Sequence, residues 1–97
     1  MQIRTKIVAT LGPASDNVET LTKMIEAGMT DARVNFSHGD ADEHRRRAAA
    51  LREAAARAGR DVCLLGDLQG PKIRVLRFAD HSVALKDGAS FFLDSSL

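Results

Sequence analysis

Short strand-like runs alternate with two helix-like stretches along the first three-quarters of this chain, and that order restricts the folds open to it. Lys6 to Leu11 is rich in β-branched residues and is closed by Gly12-Pro13, the pattern of a buried strand running into a turn. Val18, Leu21 and Ile25, with Met24 less regular, mark one face of a helix from about Asn17 to Ala27. Ser15 or Asp16 can cap that helix, Glu19 suits its first turn, and Gly28 is a natural stop. Ala32 to Phe36 is a second strand, and Ser37-His38-Gly39-Asp40 is a loop. Asp40 or Asp42 can cap a long alanine-rich helix that runs to about Ala58 and ends at Gly59. Val62 to Leu65, running on to Asp67, is a third strand. Strand-helix-strand-helix-strand implies parallel pairing with right-handed crossovers, hence an α/β fold.

The pattern changes after Arg74. Val83 and Leu85, then Asp87-Gly88, then Phe91 and Leu93 alternate around a turn dipeptide, which predicts an antiparallel hairpin. Pro71 and the polar stretch Ala79-Asp80-His81-Ser82 mark the transition. Residues 1–75 therefore read as α/β, and residues 76–97 as the beginning of something different.

Composition excludes several classes of function. The 97 residues carry a net charge of +1, so no bulk electrostatic pull toward nucleic acid or membrane follows. No run approaches the ~20 apolar residues of a membrane span. The N-terminal residues Met1 to Lys6 lead straight into a strand-like run without a signal-peptide pattern. Cys63 is the only cysteine, so no internal disulfide forms and a reducing compartment fits. The expectation is a cytoplasmic protein.

Chemistry concentrates at the strand ends. In parallel α/β folds, ligands sit beyond the carboxyl ends of the strands. Here those ends are Thr10-Leu11-Gly12-Pro13, the run Arg33-Val34-Asn35-Phe36-Ser37-His38-Gly39, and Gly66-Asp67 continuing into Leu68-Gln69-Gly70-Pro71-Lys72-Ile73-Arg74. Arg33 is a forked donor that matches phosphate oxygens. Asn35 and Ser37 supply neutral oxygens and Asp67 a charged one, a set suited to a hard cation. Arg74 follows a Gly-Pro turn from which it can swing over a bound anion. Alternation places Arg33 and Asn35 on one face of their strand and Val34 and Phe36 on the other. Taken alone, that is also the pattern of an edge strand with a solvated side; the second polar strand end favours a ligand site.

Three runs in order, Thr5 to Ser15, Arg33 to Gly39 and Asp67 to Arg74, resemble pyruvate kinase, and the similarity continues to Phe91-Phe92-Leu93-Asp94. The resemblance implies a partial (β/α)8 barrel, residues 1–75, followed by the first hairpin of the lid domain inserted after the third strand. It implies transfer of the phosphoryl group of phosphoenolpyruvate to ADP, giving pyruvate and ATP, in a parent that is a homotetramer. In its terms, Arg33 binds the transferring phosphoryl group. Asn35, Ser37, Asp67 and the carbonyl of Leu68 ligate a monovalent cation. Asn35, His38 and Arg74 contact nucleotide phosphates, and Pro13 lies near the adenine. Where many members carry threonine, lysine and glutamate, this chain has Leu68, Gln69 and Lys72. The glutamate-bearing members depend on K+; in the terms of the resemblance Lys72 brings an ammonium near the cation site in place of that ion, the plainer reading being a solvated loop lysine. Thr30-Asp31 is a second departure, more polar than the usual start of that strand.

The same resemblance places the catalytic lysine, the acidic residues that hold Mg2+, and the threonine near the proton donor beyond the lid, so this chain has no divalent-metal ligands of its own. Three strand-helix units cannot close a barrel of ~250 residues. The chain alone is therefore expected to be inactive, with an exposed third strand that invites self-association. Two other readings stay open: a module that holds ADP or phosphoenolpyruvate without turnover, and an interaction protein that docks onto full-length pyruvate kinase.

Remaining features have plainer readings. His44 and His81 lack partners at metal-ligand spacing and read as solvated. Arg45-Arg46-Arg47, Arg52, Arg57 and Arg60 are interrupted by Glu43 and Glu53 and lack interleaved aromatics, so they read as a solvated helix face rather than a nucleic-acid site. Cys63, between Val62 and Leu64, reads as a core thiol. Met24 and Met29 fit packing.

Overall fold

A computed structural model of the chain describes residues 4–95. Residues 1–3 and 96–97, the outermost residues of the two predicted segments, lie outside it. The elements are β1 (Val8–Thr10), α1 (Val18–Glu26), β2 (Asp31–Asn35), α2 (Ala41–Ala58) and β3 (Cys63–Asp67), with a single 3-10 turn at Pro13–Ser15 after β1. The sheet is parallel in the order β1-β2-β3. Strands adjacent in sequence are adjacent in space, and both helices lie on one face, the progression of a barrel wall.

Local chemistry sets each boundary. Asn17, rather than Ser15 or Asp16, caps α1: its Oδ1 accepts from Thr20 N–H at 2.8 Å. Asp40 caps α2 reciprocally, accepting from Glu43 N–H at 2.9 Å while Glu43 Oε2 accepts from Asp40 N–H at 3.0 Å. Gly59 ends α2 at φ +64°, a left-handed position that glycine adopts without strain. Thr30 strengthens the start of β2. Its hydroxyl accepts from Ile7 N–H at 2.8 Å and donates to Asp31 Oδ2 at 2.6 Å, tying β1 to β2.

The core lies between sheet and helices. Leu11, Leu21, Ile25, Met29, Ala32, Val34, Leu51 and Ala54 are buried in one cluster. Arg60 closes its edge by donating to the Ile25 carbonyl at 3.0 Å, a cation at the carboxyl end of α1. α2 presents His44, Arg47, Leu51 and Ala54 inward, a stripe at helical spacing. His44 and Arg47 are therefore buried, at 9% and 8% exposure, and not solvated as their neighbours Arg45 and Arg46 are.

Among the described residues the opposite sheet face has no cover. Val8 is 54% exposed, so β1 is not a strand buried on both sides. Cys63 is exposed, not a core thiol, because alternation along β3 puts Cys63, Leu65 and Asp67 on that open face. β3 pairs on one side only, as expected of an edge strand.

Residues 68–95 contain no helix or strand, so the predicted hairpin is not formed as a ladder. Its turn is present: Ala89 N–H donates to the Lys86 carbonyl at 3.1 Å with Gly88 at φ +78°. A second turn joins His81 N–H to the Phe78 carbonyl at 3.0 Å. Ile73 to Phe78 and Phe91 to Ser95 line one cleft, so the chain doubles back without pairing. A two-stranded ribbon with neither a third strand nor a covering helix is marginal, which accounts for the missing ladder. The radius of gyration, 18.2 Å against about 13 Å for a compact chain of this length, reflects that projecting segment.

Leu51→Ala opens a void at the helix–sheet contact and is expected to lower the unfolding free energy by about 2–5 kcal/mol, measured by urea denaturation. Asp40→Ala removes the cap of α2 and is expected to cost about 1 kcal/mol in the same measurement.

Candidate phosphate and cation site

The carboxyl ends of the three strands gather the polar residues. Register places Thr10 opposite Arg33, Arg33 opposite Leu65, and Asn35 opposite Asp67. Within β2, Ala32 and Val34 face the helices, which leaves Arg33 and Asn35 on the open face. A single alternation thus makes the core on one side and the site on the other.

Arg33 is the centre of the cluster. Its Nε donates to Asp67 Oδ2 at 3.0 Å and its Nη2 donates to the same oxygen. Its Nη1 donates to Thr10 Oγ1 at 3.2 Å. The side chains of Arg33 and Asp67 are 31% and 48% exposed, so solvent screens the pair and its contribution to stability is about 0–1 kcal/mol. Its larger effect is geometric: it holds the guanidinium against β3.

Asn35 shapes the turn that follows. Its Oδ1 accepts from Ser37 N–H at 3.0 Å, and its carbonyl accepts from His38 N–H at 3.3 Å. This short Asx turn holds Ser37 beside Asn35. An amide oxygen has two lone pairs, so Asn35 Oδ1 retains acceptor capacity. Phe36 N–H donates to the Asp67 carbonyl at 3.1 Å, extending the ladder one step past β2. The Phe36 ring lies 4.7 Å from the His44 ring and against the backbone of Gly66. A Cβ at Gly66 would fall 2.9 Å from Phe36 Cε2, so only glycine admits the ring there. His44 therefore acts through packing.

Asp16, after β1, faces α2. Its Oδ2 lies 3.5 Å from Arg46 Nη2 and 3.9 Å from Arg47 Nε. This pairing anchors the β1 loop over the start of α2.

Arg33, Asn35, Ser37 and Asp67 are thus brought together. His38 is exposed on the same loop, and Pro13 is exposed on the 3-10 turn at the neighbouring strand end. Leu68, Lys72 and Arg74 lie in the irregular stretch beyond β3, all exposed. Among the described residues no hydrogen bond or ion pair ties these three to the cluster, and Arg74 lines the cleft shared with Phe91 and Phe92. Thr10 is the site residue the sequence reading passed over. The signal was available, because strand alternation and parallel register together set Thr10 beside Arg33.

Asn35, Ser37 and Asp67 carry neutral and charged side-chain oxygens of the type that hard cations take. Among the described residues no group of three or more His, Cys, Asp or Glu is placed to hold a metal ion. No helix among them is long and apolar enough to cross a membrane.

Comparison with known proteins identifies the family. The family model of the pyruvate kinase barrel domain matches residues 2–96. Pyruvate kinase II of Salmonella typhimurium is 54% identical over 94 residues, which are 97% of this chain and 20% of that protein. The pyruvate kinase of Geobacillus stearothermophilus is 49% identical over 96 residues, 99% of this chain and 16% of that protein. The crystal structure of Cryptosporidium parvum pyruvate kinase superposes with a TM-score of 0.66 at 46% identity, over 69% of this chain and 14% of that one. The chain spans about a fifth or less of the length of these relatives. By sequence and by fold, this chain belongs to the pyruvate kinase family.

Proposed function

We propose that these residues serve, within a longer polypeptide, as the phosphoryl- and cation-binding wall of an enzyme that transfers the phosphoryl group of phosphoenolpyruvate to ADP. The observation that carries this reading is the Arg33–Asp67 pair at the carboxyl end of the sheet, on its uncovered face. Residues 4–75 belong to the barrel, and residues 76–95 open the inserted lid.

Phosphoryl transfer is mostly positioning and charge neutralisation. The P–O bond to the enol oxygen breaks, a terminal oxygen of ADP takes the phosphoryl group, and the enolate is protonated to pyruvate. Arg33 spreads positive charge over the transferring group. Asn35, His38 and Arg74 hold the nucleotide phosphates, Arg74 being carried on the irregular stretch after Pro71, and Pro13 borders the adenine. Asn35, Ser37, Asp67 and the Leu68 carbonyl hold a monovalent cation. The Lys72 ammonium supplies positive charge at that site, which lowers the parent's dependence on K+. Mg2+, held by residues elsewhere in the longer polypeptide, would supply further charge neutralisation at the phosphates. ADP, ATP and phosphoenolpyruvate are the partners, in a homotetrameric parent.

Pyruvate formation by the whole protein tests this. Arg33→Met is expected to lower kcat/KM for phosphoenolpyruvate by about 10²–10³-fold, as removal of one preorganised charge-stabilising donor does elsewhere. An unchanged kcat/KM would remove Arg33 from the reaction. The 97-residue chain alone is expected to form no pyruvate. Lys72→Glu restores an anion beside the cation site and is expected to reduce activity by about 10-fold or more in potassium-free buffer, with recovery on adding K+. Equal activity with and without K+ in that variant would detach Lys72 from the site.

A further inference from the structure

Arg33 is held from both neighbouring strands before any ligand arrives. Thr10 lies directly opposite it in the β1–β2 register. Asp67 does not: the register partner of Arg33 on β3 is Leu65, and Asp67 lies two residues further toward the carboxyl end. To reach Asp67 the Arg33 side chain must lean along the strands toward the mouth of the sheet. Thr10 then takes the remaining flank, receiving Nη1 at 3.2 Å.

A guanidinium has five N–H donors and no acceptor. Nε and Nη2 engage Asp67, and Nη1 engages Thr10. Two N–H groups remain, one on each terminal nitrogen. That is the fork that a phosphate accepts bidentately.

We propose that Thr10 is a positioning residue for the phosphoryl-binding fork: its hydroxyl and the Asp67 carboxylate clamp the Arg33 guanidinium from the two flanking strands and leave its two outer N–H groups aimed at the transferring phosphoryl group. This rests on the functional reading above and deepens it. The clamp matters because an arginine side chain carries about 2 kcal/mol of rotamer entropy. A guanidinium already ordered before binding does not lose that freedom when the anion arrives. Asp67 alone leaves the plane free to pivot about a single oxygen, since both of its bonds end on Oδ2. Thr10 supplies the second fixed point. Thr10 is exposed and on the open face, so its hydroxyl is not needed for the core.

Calorimetric titration of the whole protein with phosphoenolpyruvate in magnesium buffer tests the clamp, with ADP titration as a control. Thr10→Val keeps the shape and suits a strand but has no hydroxyl. It is expected to weaken phosphoenolpyruvate binding by about 5–10-fold while leaving ADP affinity unchanged. Thr10→Ser restores the hydroxyl and is expected to bind within about 2-fold of wild type. Wild-type affinity in Thr10→Val, or equal losses for both ligands, would overturn the proposal. Arg33→Met separates the two levels of the account. If it weakens phosphoenolpyruvate binding while Thr10→Val does not, only the clamp fails. If neither variant changes binding, the phosphoryl-site reading fails as well and the clamp goes with it.

Discussion

Parallel pairing of β2 with its two neighbours is the constraint on which the other features depend. The register aligns Thr10 with Arg33 and Asn35 with Asp67. A slip of one residue would turn every side chain of β2 to the other face. Ala32 and Val34 would leave the helices, and Arg33 and Asn35 would enter the apolar core. Core and site are thus two faces of one arrangement. The burial of Leu21, Ile25 and Leu51 against the sheet specifies the register that assembles the polar cluster.

Much of this was legible in the chain. Helical periodicity, cap residues and terminal glycines located α1 and α2 to within a residue or two, because those signals are local. The strand ends were legible because Arg33, Asn35 and Asp67 are polar residues at the close of apolar runs. Other features depended on contacts between distant residues. His44 read as solvated for want of metal-ligand partners and Arg47 as part of a charged helix face, yet they share a helical stripe with Leu51 and Ala54 and are buried by it. Cys63 read as core because its neighbours are apolar, but only one face of β3 has a covering layer. Thr30 read as an unusually polar strand start, and its hydroxyl bridges to the Ile7 backbone.

The segment after Arg74 shows the limit of local signals most directly. Asp87-Gly88 makes its turn, as that dipeptide should, but alternating apolar residues do not make a ladder by themselves. Ile73, Leu85, Phe92 and Leu93 are largely exposed and have no layer to pack against. A hairpin of this kind takes its stability from a further strand or helix on its apolar face.

The proposed role of Arg33 is to donate hydrogen bonds to a phosphate while held in place by its two neighbouring strands. A crystal structure of the whole protein with phosphoenolpyruvate bound is the most direct test. The account predicts phosphate oxygens about 3 Å from both terminal nitrogens of Arg33, with the contacts to Thr10 and Asp67 retained. Phosphoenolpyruvate bound elsewhere, with Arg33 engaged only by Asp67 or turned to solvent, would contradict it.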